Sequence, residues 1–292
     1  MGLDIGQALR EGASRTATKN GLILAAVFAG IALLTTVLLQ TFSAAVFDSI
    51  LSTFQGASPQ ELGLTQAEYD RAIGELESTA RSVRETAPLA LELSAGVAAA
   101  GLVVLAILSE TVSIVAVRVF ATDEDEPASR DLVTRNILLA TLNGFVGGIV
   151  VWGLIVVGLV FLVLPGIILA VLFYFLRQEI ALNDKNFVQA MADSWRLTKG
   201  HRIEVFLIAF VLVVVSQLEQ LSSAAVGTLS TTGGVVVAAL IGGLLSAFGA
   251  AVVTRAYVQI DADEDTDESI ETDSDEEEDP YDAALGPDDL TR

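Results

Sequence analysis

Ionisable side chains inside apolar runs are where a membrane-like sequence keeps its chemistry, because each one is costly there unless paired or solvated. Two stand out: Glu110 in the run 94–120 and Arg177 in the run 165–182. At 1.5 Å per residue, Glu110 lies about 20 Å down its helix, and Arg177, counted from Gly166, about 17 Å. The depths match. The spacing therefore predicts a buried Glu110–Arg177 pair, with Arg118 and Glu179 as secondary partners. Such a pair either locks two helices together or stands on a proton or solute path. Glu92 and Glu110 are 18 residues apart, which is five turns, so they share a face, with Glu92 at the membrane boundary. Glu204 and Glu219 flank the run 203–221 and can reach an interface.

Other chemistries lack their residues. The single His, His201, stands beside Arg202, and there is no Cys. No HExxH pattern occurs, so no zinc site is predicted. GxSxG, P-loop and GxGxxG patterns are absent as well. Asp261, Asp263 and Asp265 alternate as in an EF-hand loop but lack its central Gly. No catalytic, cofactor-binding or metal-binding residue is assigned, no cofactor is expected, and an intramembrane enzyme is the class least supported.

The elements that must position the pair follow from the apolar runs. Six spans are predicted, at about 21–41, 94–120, 137–163, 165–182, 203–221 and 233–258, each near the length that crosses a hydrocarbon core about 30 Å thick. The first run is longer than the roughly 7–15 residues of a signal-peptide core and is read as a span. Pro165-Gly166 is expected to turn the chain between the third and fourth spans. With residues 1–20 inside as an interfacial segment, 13 of the 16 Lys and Arg fall on the inner side. The positive-inside rule then puts both termini in the cytoplasm. This is an all-α integral membrane protein by its pattern, and a cell-membrane location is expected.

Charge is divided along the chain. The net of −21 sits mostly in residues 261–292, where sixteen carboxylates face one Arg, a net of −15. The mean hydropathy is nevertheless +0.60. The tail 261–292 cannot bury a core and is expected to be disordered. The balance argues against nucleic acid as a partner. Abundant carboxylates with only three Lys suggest a halophilic archaeon.

Two amphipathic segments lie between spans. In the external loop 48–87, Ser58–Glu61 and Thr65–Glu68 match capping boxes. After the second box, Tyr69, Ile73, Leu76, Ala80 and Val83 recur at helical spacing. On the inner side, 186–199 reads as a helix with Trp195, Arg196 and Lys199 as interface anchors and Gly200 as its stop. Thr18-Lys19-Asn20, Thr134-Arg135-Asn136 and Thr198-Lys199-Gly200 each precede an outward span, a weak internal repeat. Small residues mark helix-packing faces. Gly144 and Gly148 form a GxxxG, and Ala238, Gly242, Ser246 and Ala250 recur every four residues, beside a second row of Ala239, Gly243, Ala247 and Ala251. The rows serve packing within one chain or a homo-oligomer.

The stretch Pro165 to Ala170, then Arg177 to Leu182, then Ala190 to Gly200 with its Ser194-Trp195-Arg196-Leu197-Thr198 core carries a resemblance. It resembles the multi-pass membrane domain found beside some glycerophosphoryl diester phosphodiesterases, and that domain's uncharacterised stand-alone relatives in haloarchaea. Leu172 and Gln178 depart from that pattern, standing where an Arg and a Pro are common. The resemblance implies a six-helix membrane module without its own catalysis. The phosphodiesterase barrel itself is absent.

The first functional expectation is a non-enzymatic structural module that contacts membrane lipids or a protein partner. The alternative is a small transporter or channel with Glu110 and Arg177 on its path. One feature separates them. A dry, tightly packed pair favours the module, and a water-filled cavity reaching the pair favours the path.

Overall fold

In hydrocarbon every backbone polar group must be satisfied within its own segment, so the apolar runs become helices. The computed structural model describes residues 3–122, 129–227 and 231–275. Among the described residues every regular element is an α-helix: α1 (Ile5–Thr16), α2 (Lys19–Gly56), α3 (Gln66–Thr86), α4 (Ala95–Ala121), α5 (Arg130–Thr134), α6 (Ile137–Phe161), α7 (Val163–Leu172), α8 (Leu176–Asn183), α9 (Phe187–Leu197), α10 (Arg202–Gly227) and α11 (Thr231–Asp275). Asp4, Thr18, Thr65, Ser94, Ser129 and Asn186 cap α1 to α5 and α9 by accepting backbone N–H groups. These are the short polar residues that helix starts prefer.

Five helical segments are long and apolar enough to cross a membrane: Lys19–Gly56, Ala95–Ala121, Ile137–Phe161, Val163–Asn183 and Thr232–Asp263. Phe187–Leu197 and Arg202–Leu218 meet at a 109° bend and supply a sixth if counted together. Gly200 forms that corner at φ +100°, a conformation few other residues adopt. The fourth segment is broken between Leu172 and Leu176.

Three boundaries differ from the sequence expectations. Helix α2 does not stop near Thr41 but runs to Gly56, because nothing before Gly56 and Pro59 breaks it. At 38 residues it is about 57 Å long, roughly twice the hydrocarbon thickness, so its last third projects beyond the spans. Helix α3 folds back along this projection. Tyr69 donates to the Phe54 carbonyl at 3.2 Å, Gln55 to Glu77 at 3.0 Å, and Arg84 pairs with Asp48. The Thr65–Glu68 box caps α3, whereas the Ser58–Glu61 box closes only a turn. Second, the turn after α6 falls at Leu162, and Pro165 sits in the first turn of α7, where its missing N–H costs nothing. Third, α11 continues to Asp275, through the first part of the segment expected to be disordered. A helix already nucleated by its span adds one hydrogen bond per further residue, which carries it into the carboxylates. The rest of that tail, 276–292, lies outside the described residues.

Packing is uneven along the bundle. One end carries α1, α5 and α9 and the basic residues around them, and we call it the basic end. All three buried apolar clusters lie toward it. One joins Leu3 and Ala8 to Phe175, Val205, Val252 and Tyr257. The second joins Ile114 and Val117 to Ala140, Ile180 and Ala190. The third joins Leu24, Ala25 and Phe28 to Phe120, Ala247 and Ala251. The small row Ala239, Gly243, Ala247, Ala251 is buried. Gly243 lies so close to Ala25 and Ala29 that a Cβ there would overlap their backbone, which seats α11 on α2. At the far end Trp152, Val160, Phe161 and Leu164 are exposed.

Candidate functional site

The break in the fourth segment decides where Arg177 points. Phe175 N donates to the Ser194 hydroxyl at 3.2 Å, and that hydroxyl donates to the Leu172 carbonyl at 2.9 Å. Both groups are buried and would otherwise be unpaired, a cost of about 1–3 kcal/mol each. One residue of α9 thus makes a non-helical step in the segment tolerable. Trp195 adds a ring contact with Phe173 at 6.1 Å between centroids. Arg177 then falls in the first turn of α8.

From there it reaches α4. Arg177 Nε donates to Glu110 Oε1 and Nη2 to Oε2, each at 2.9 Å, the two-bond fork that suits a guanidinium and a carboxylate. Glu110 lies against Gly144 of α6, where any Cβ would collide with its carboxylate. The pair is asymmetric in exposure: the Glu110 side chain is 11% exposed and the Arg177 side chain 46%. Among the described residues Arg177 Nη1 has no hydrogen-bond partner.

Arg177 is exposed into voids. On one side lies a cavity of about 390 Å³ between α2, α4, α8 and α11, lined by Ser109, Ser113, Tyr174, Arg177, Gln178 and Ser246 among others. On the other a second void of about 390 Å³ touches Glu110, Gly144, Gly148, Trp152 and Arg177. Both fall in the range of small-molecule pockets. The first is unusually polar for a space between spans. Elsewhere in the spans Thr36, Thr41 and Thr111 each donate to the carbonyl four residues before. The hydroxyls of Ser109, Ser113 and Ser246 make no hydrogen bond with the described residues. Gln178 is 3% exposed, and its Oε1 is buried without a partner. Polar groups left unpaired between spans point to water or a polar ligand filling the space.

The remaining candidate residues fall elsewhere. Arg118 is 1% exposed and lies nearer the basic end than Glu110. Its Nε donates to the Ala181 carbonyl at 2.9 Å, and Nη1 donates to the carbonyls of Leu132, Val133 and Arg135. Its charge meets Asp184 at 3.5 Å. It collects the free carbonyls at the C-terminal ends of α5 and α8, where a cation also complements the helix dipoles. Glu179 is two residues from Arg177, about 200° around the helix, and so faces away from the pair. It bonds Lys185 at 2.7 Å, Asn183 at 3.0 Å and Tyr257 at 3.3 Å. Neither residue joins the pair. Arg196 bridges to Asp193 at 2.9 Å beside a half-exposed Trp195. Gly148 and Ala250 line the voids, Gly242 is buried, and Ala238 is half-buried. Glu92 is exposed, and the side chain of Glu219 lies outside the described residues.

A family model for a domain of unknown function, DUF7847, matches residues 3–260. The chain belongs to that family. No curated protein and no solved structure matches it. The DUF7847 match takes in α1 to α10 and the apolar part of α11, so the pair, its cavities and the Ser194 contact all lie within the domain.

Three features of the DUF7847 site escape a reading by depth and period. Ser109 and Ser113 look like ordinary helix-face hydroxyls, and only their missing bonds mark them. Gln178 stands out in sequence only as a departure from the motif. Ser194 belongs to the motif, but its contact with the α7–α8 break is visible only once the break is known.

Proposed function

We propose that this DUF7847 protein is a non-enzymatic, six-span membrane protein that takes a polar solute or headgroup between its spans, with Glu110 and Arg177 on the path. One observation carries the reading: the pair borders a polar cavity instead of being enclosed by apolar packing. That favours the transporter or channel class over a purely structural module. Glu110 holds the guanidinium in place, and Arg177 Nη1, Gln178 and three Ser hydroxyls supply donors and acceptors. In this reading the basic end is the cytoplasmic face, as the positive-inside rule requires, and α3 lies outside. The likeness of 165–200 to the membrane domain beside glycerophosphoryl diester phosphodiesterases belongs to the same reading, as a module that lends no reaction of its own.

The natural chain has no Cys, so single Cys substitutions report without background. Ser246→Cys and its neighbour Ala247→Cys lie about 100° apart on α11, one at the cavity and one in the contact with α2. In membrane vesicles a small, charged, membrane-impermeant thiol reagent should label Ser246→Cys and Ser113→Cys but spare Ala247→Cys. Equal, slow labelling of all three would mean a dry site and would return the protein to the structural class.

A further inference from the structure

A third void lies beside the cavity. Helices α7 and α10 diverge and leave an apolar groove of about 490 Å³, lined by Ile167, Ala170, Val171, Phe206, Phe210 and Val213 with few polar atoms. Tyr174 lines this groove and both voids beside Arg177, and Ala170 lines the groove and the second void. Tyr174 is thus a wall that all three spaces share, so that its ring alone stands between the groove and the polar cavity. Toward the basic end the bundle is closed by its apolar clusters, including Phe175, Val205, Val252 and Tyr257. A ligand that fits this outline has an apolar tail and a polar head.

Resting on the reading above, we propose that the ligand is a phospholipid drawn sideways from the surrounding bilayer, its phosphate at Arg177 and one chain in the α7–α10 groove. The chemistry is complementary at each end. A guanidinium has five N–H donors. The Glu110 carboxylate occupies one edge through Nε and Nη2, which leaves Nη1 for a second oxyanion. Ser113 and Ser246 hydroxyls can donate to the same phosphate. A free phosphate would satisfy the polar half of this surface and leave the adjoining apolar half uncovered.

The test uses the purified full chain, stripped of lipid in detergent and titrated with phosphatidylglycerol, with diacylglycerol, or with water-soluble glycerol phosphate. Bound molecules are counted by native mass spectrometry. Phosphatidylglycerol should bind at one per chain, about tenfold or more tighter than diacylglycerol, since a hydrogen bond to a charged group contributes that much. Arg177→Gln should lose the same factor. Because that variant also breaks the pair with Glu110, the second probe is Ala209→Trp, at a residue of α10 that lines the groove. It fills the groove away from the pair and should weaken phosphatidylglycerol binding while leaving Ser246→Cys labelling intact. Equal binding of diacylglycerol, an unchanged affinity in Ala209→Trp, or displacement by glycerol phosphate at equal concentration would each overturn the lipid assignment. If Ser246→Cys labels while no phospholipid is retained, only this inference fails. If Ser246→Cys does not label, the cavity reading fails with it.

Discussion

Helices α6 and α10 are packed toward the basic end and bare toward the far end, whereas α2 and α4 stay in contact through Thr41 and Ala98, both fully buried. On α6 Leu138 and Leu139 at one end and Val160 and Phe161 at the other are all exposed, but the buried residues are Ala140, Thr141, Gly144, Gly147 and Val151, with none beyond Val151. On α10 Val205 and Ile208 are fully buried, whereas Val213, Val214 and Leu218 are exposed. Hydropathy does not distinguish the two stretches. The difference lies in what else the helices carry. Lipid tails are as apolar as Leu, so membrane helices close on each other through small residues and polar contacts. The basic end has both: Gly243 on α2, Gly144 under Glu110, Arg118 across two helix ends and Ser194 in the α7–α8 break. At the far end such contacts join α2 to α4 and its leading segment, through Gly101 against Leu38 and the Leu89 and Leu91 amides donating to Gln40 and Thr41, and join α6 to α7 through Gly158 and Gly166, but none reaches α10 among the described residues. The cavities lie where the one regime gives way to the other.

The sharpest way to break this contrast is to remove the buried cation of the packed end. Arg118→Met leaves the buried carbonyls of Ala181 and Arg135 without their partner, while Asp184 keeps Arg135 at 3.1 Å. Deleting one member of a buried charged network costs about 3–5 kcal/mol. A matching drop in unfolding free energy in detergent is expected, and a loss below about 1 kcal/mol would mean that water reaches those carbonyls.

Two milder substitutions separate the ends further. Ser194→Ala removes both bonds at the helix break and should cost about 1–3 kcal/mol. It should also change Ser246→Cys labelling, since Arg177 is aimed by that break. Gly144→Ala pushes Glu110 off its seat and should cost about 1–3 kcal/mol as an overpacked contact. One turn along, Gly148 has open space around it, and Gly148→Ala should stay within about 0.5 kcal/mol. At the far end Val160→Ala, 77% exposed, should also stay within about 0.5 kcal/mol. Equal losses at 144 and 148 would erase the distinction between packed and open faces of α6.

Much of this was legible in the sequence because depth and period are geometric. Counting 1.5 Å per residue put Glu110 and Arg177 at one level, and the structure brings them together. Capping at Thr65 and the stop at Gly200 are local signals that act locally. What counting could not supply was direction around the helix where the helix is interrupted. The break at 173–175 contains no Pro or Gly, and it is held by Ser194 about twenty residues on, so no local pattern announces it. Arg118 misses the pair by depth, since it lies eight residues, about 12 Å, further along the unbroken α4, and Glu179 misses it by direction, two residues on from Arg177. The small rows were visible, but which row packs and which lines a cavity depends on helix rotation. The extension of α2 past Thr41 is hidden because the end of an apolar run is not the end of a helix.

The smallest expected effect lies beyond the far end, in the hairpin of α2 and α3, where stability rests on solvent-exposed polar contacts. The Thr65 hydroxyl and amide hold the Glu68 carboxyl below its ordinary pKa, and the Ser58 amide and hydroxyl do the same for Glu61. A carboxyl whose folded pKa is depressed contributes stability above its unfolded value and loses it as pH falls through the folded one. Hydrogen exchange at residues 66–70, corrected for the intrinsic rate, should therefore show full protection at neutral pH and fraying below the usual carboxylate range. Glu68→Gln keeps the reach of the side chain but removes its titration, so its residual protection should be flat over the same interval. If the natural chain is flat too, the capping box holds α3 without help from charge, and packing against α2 through Tyr69 and Phe54 carries the hairpin.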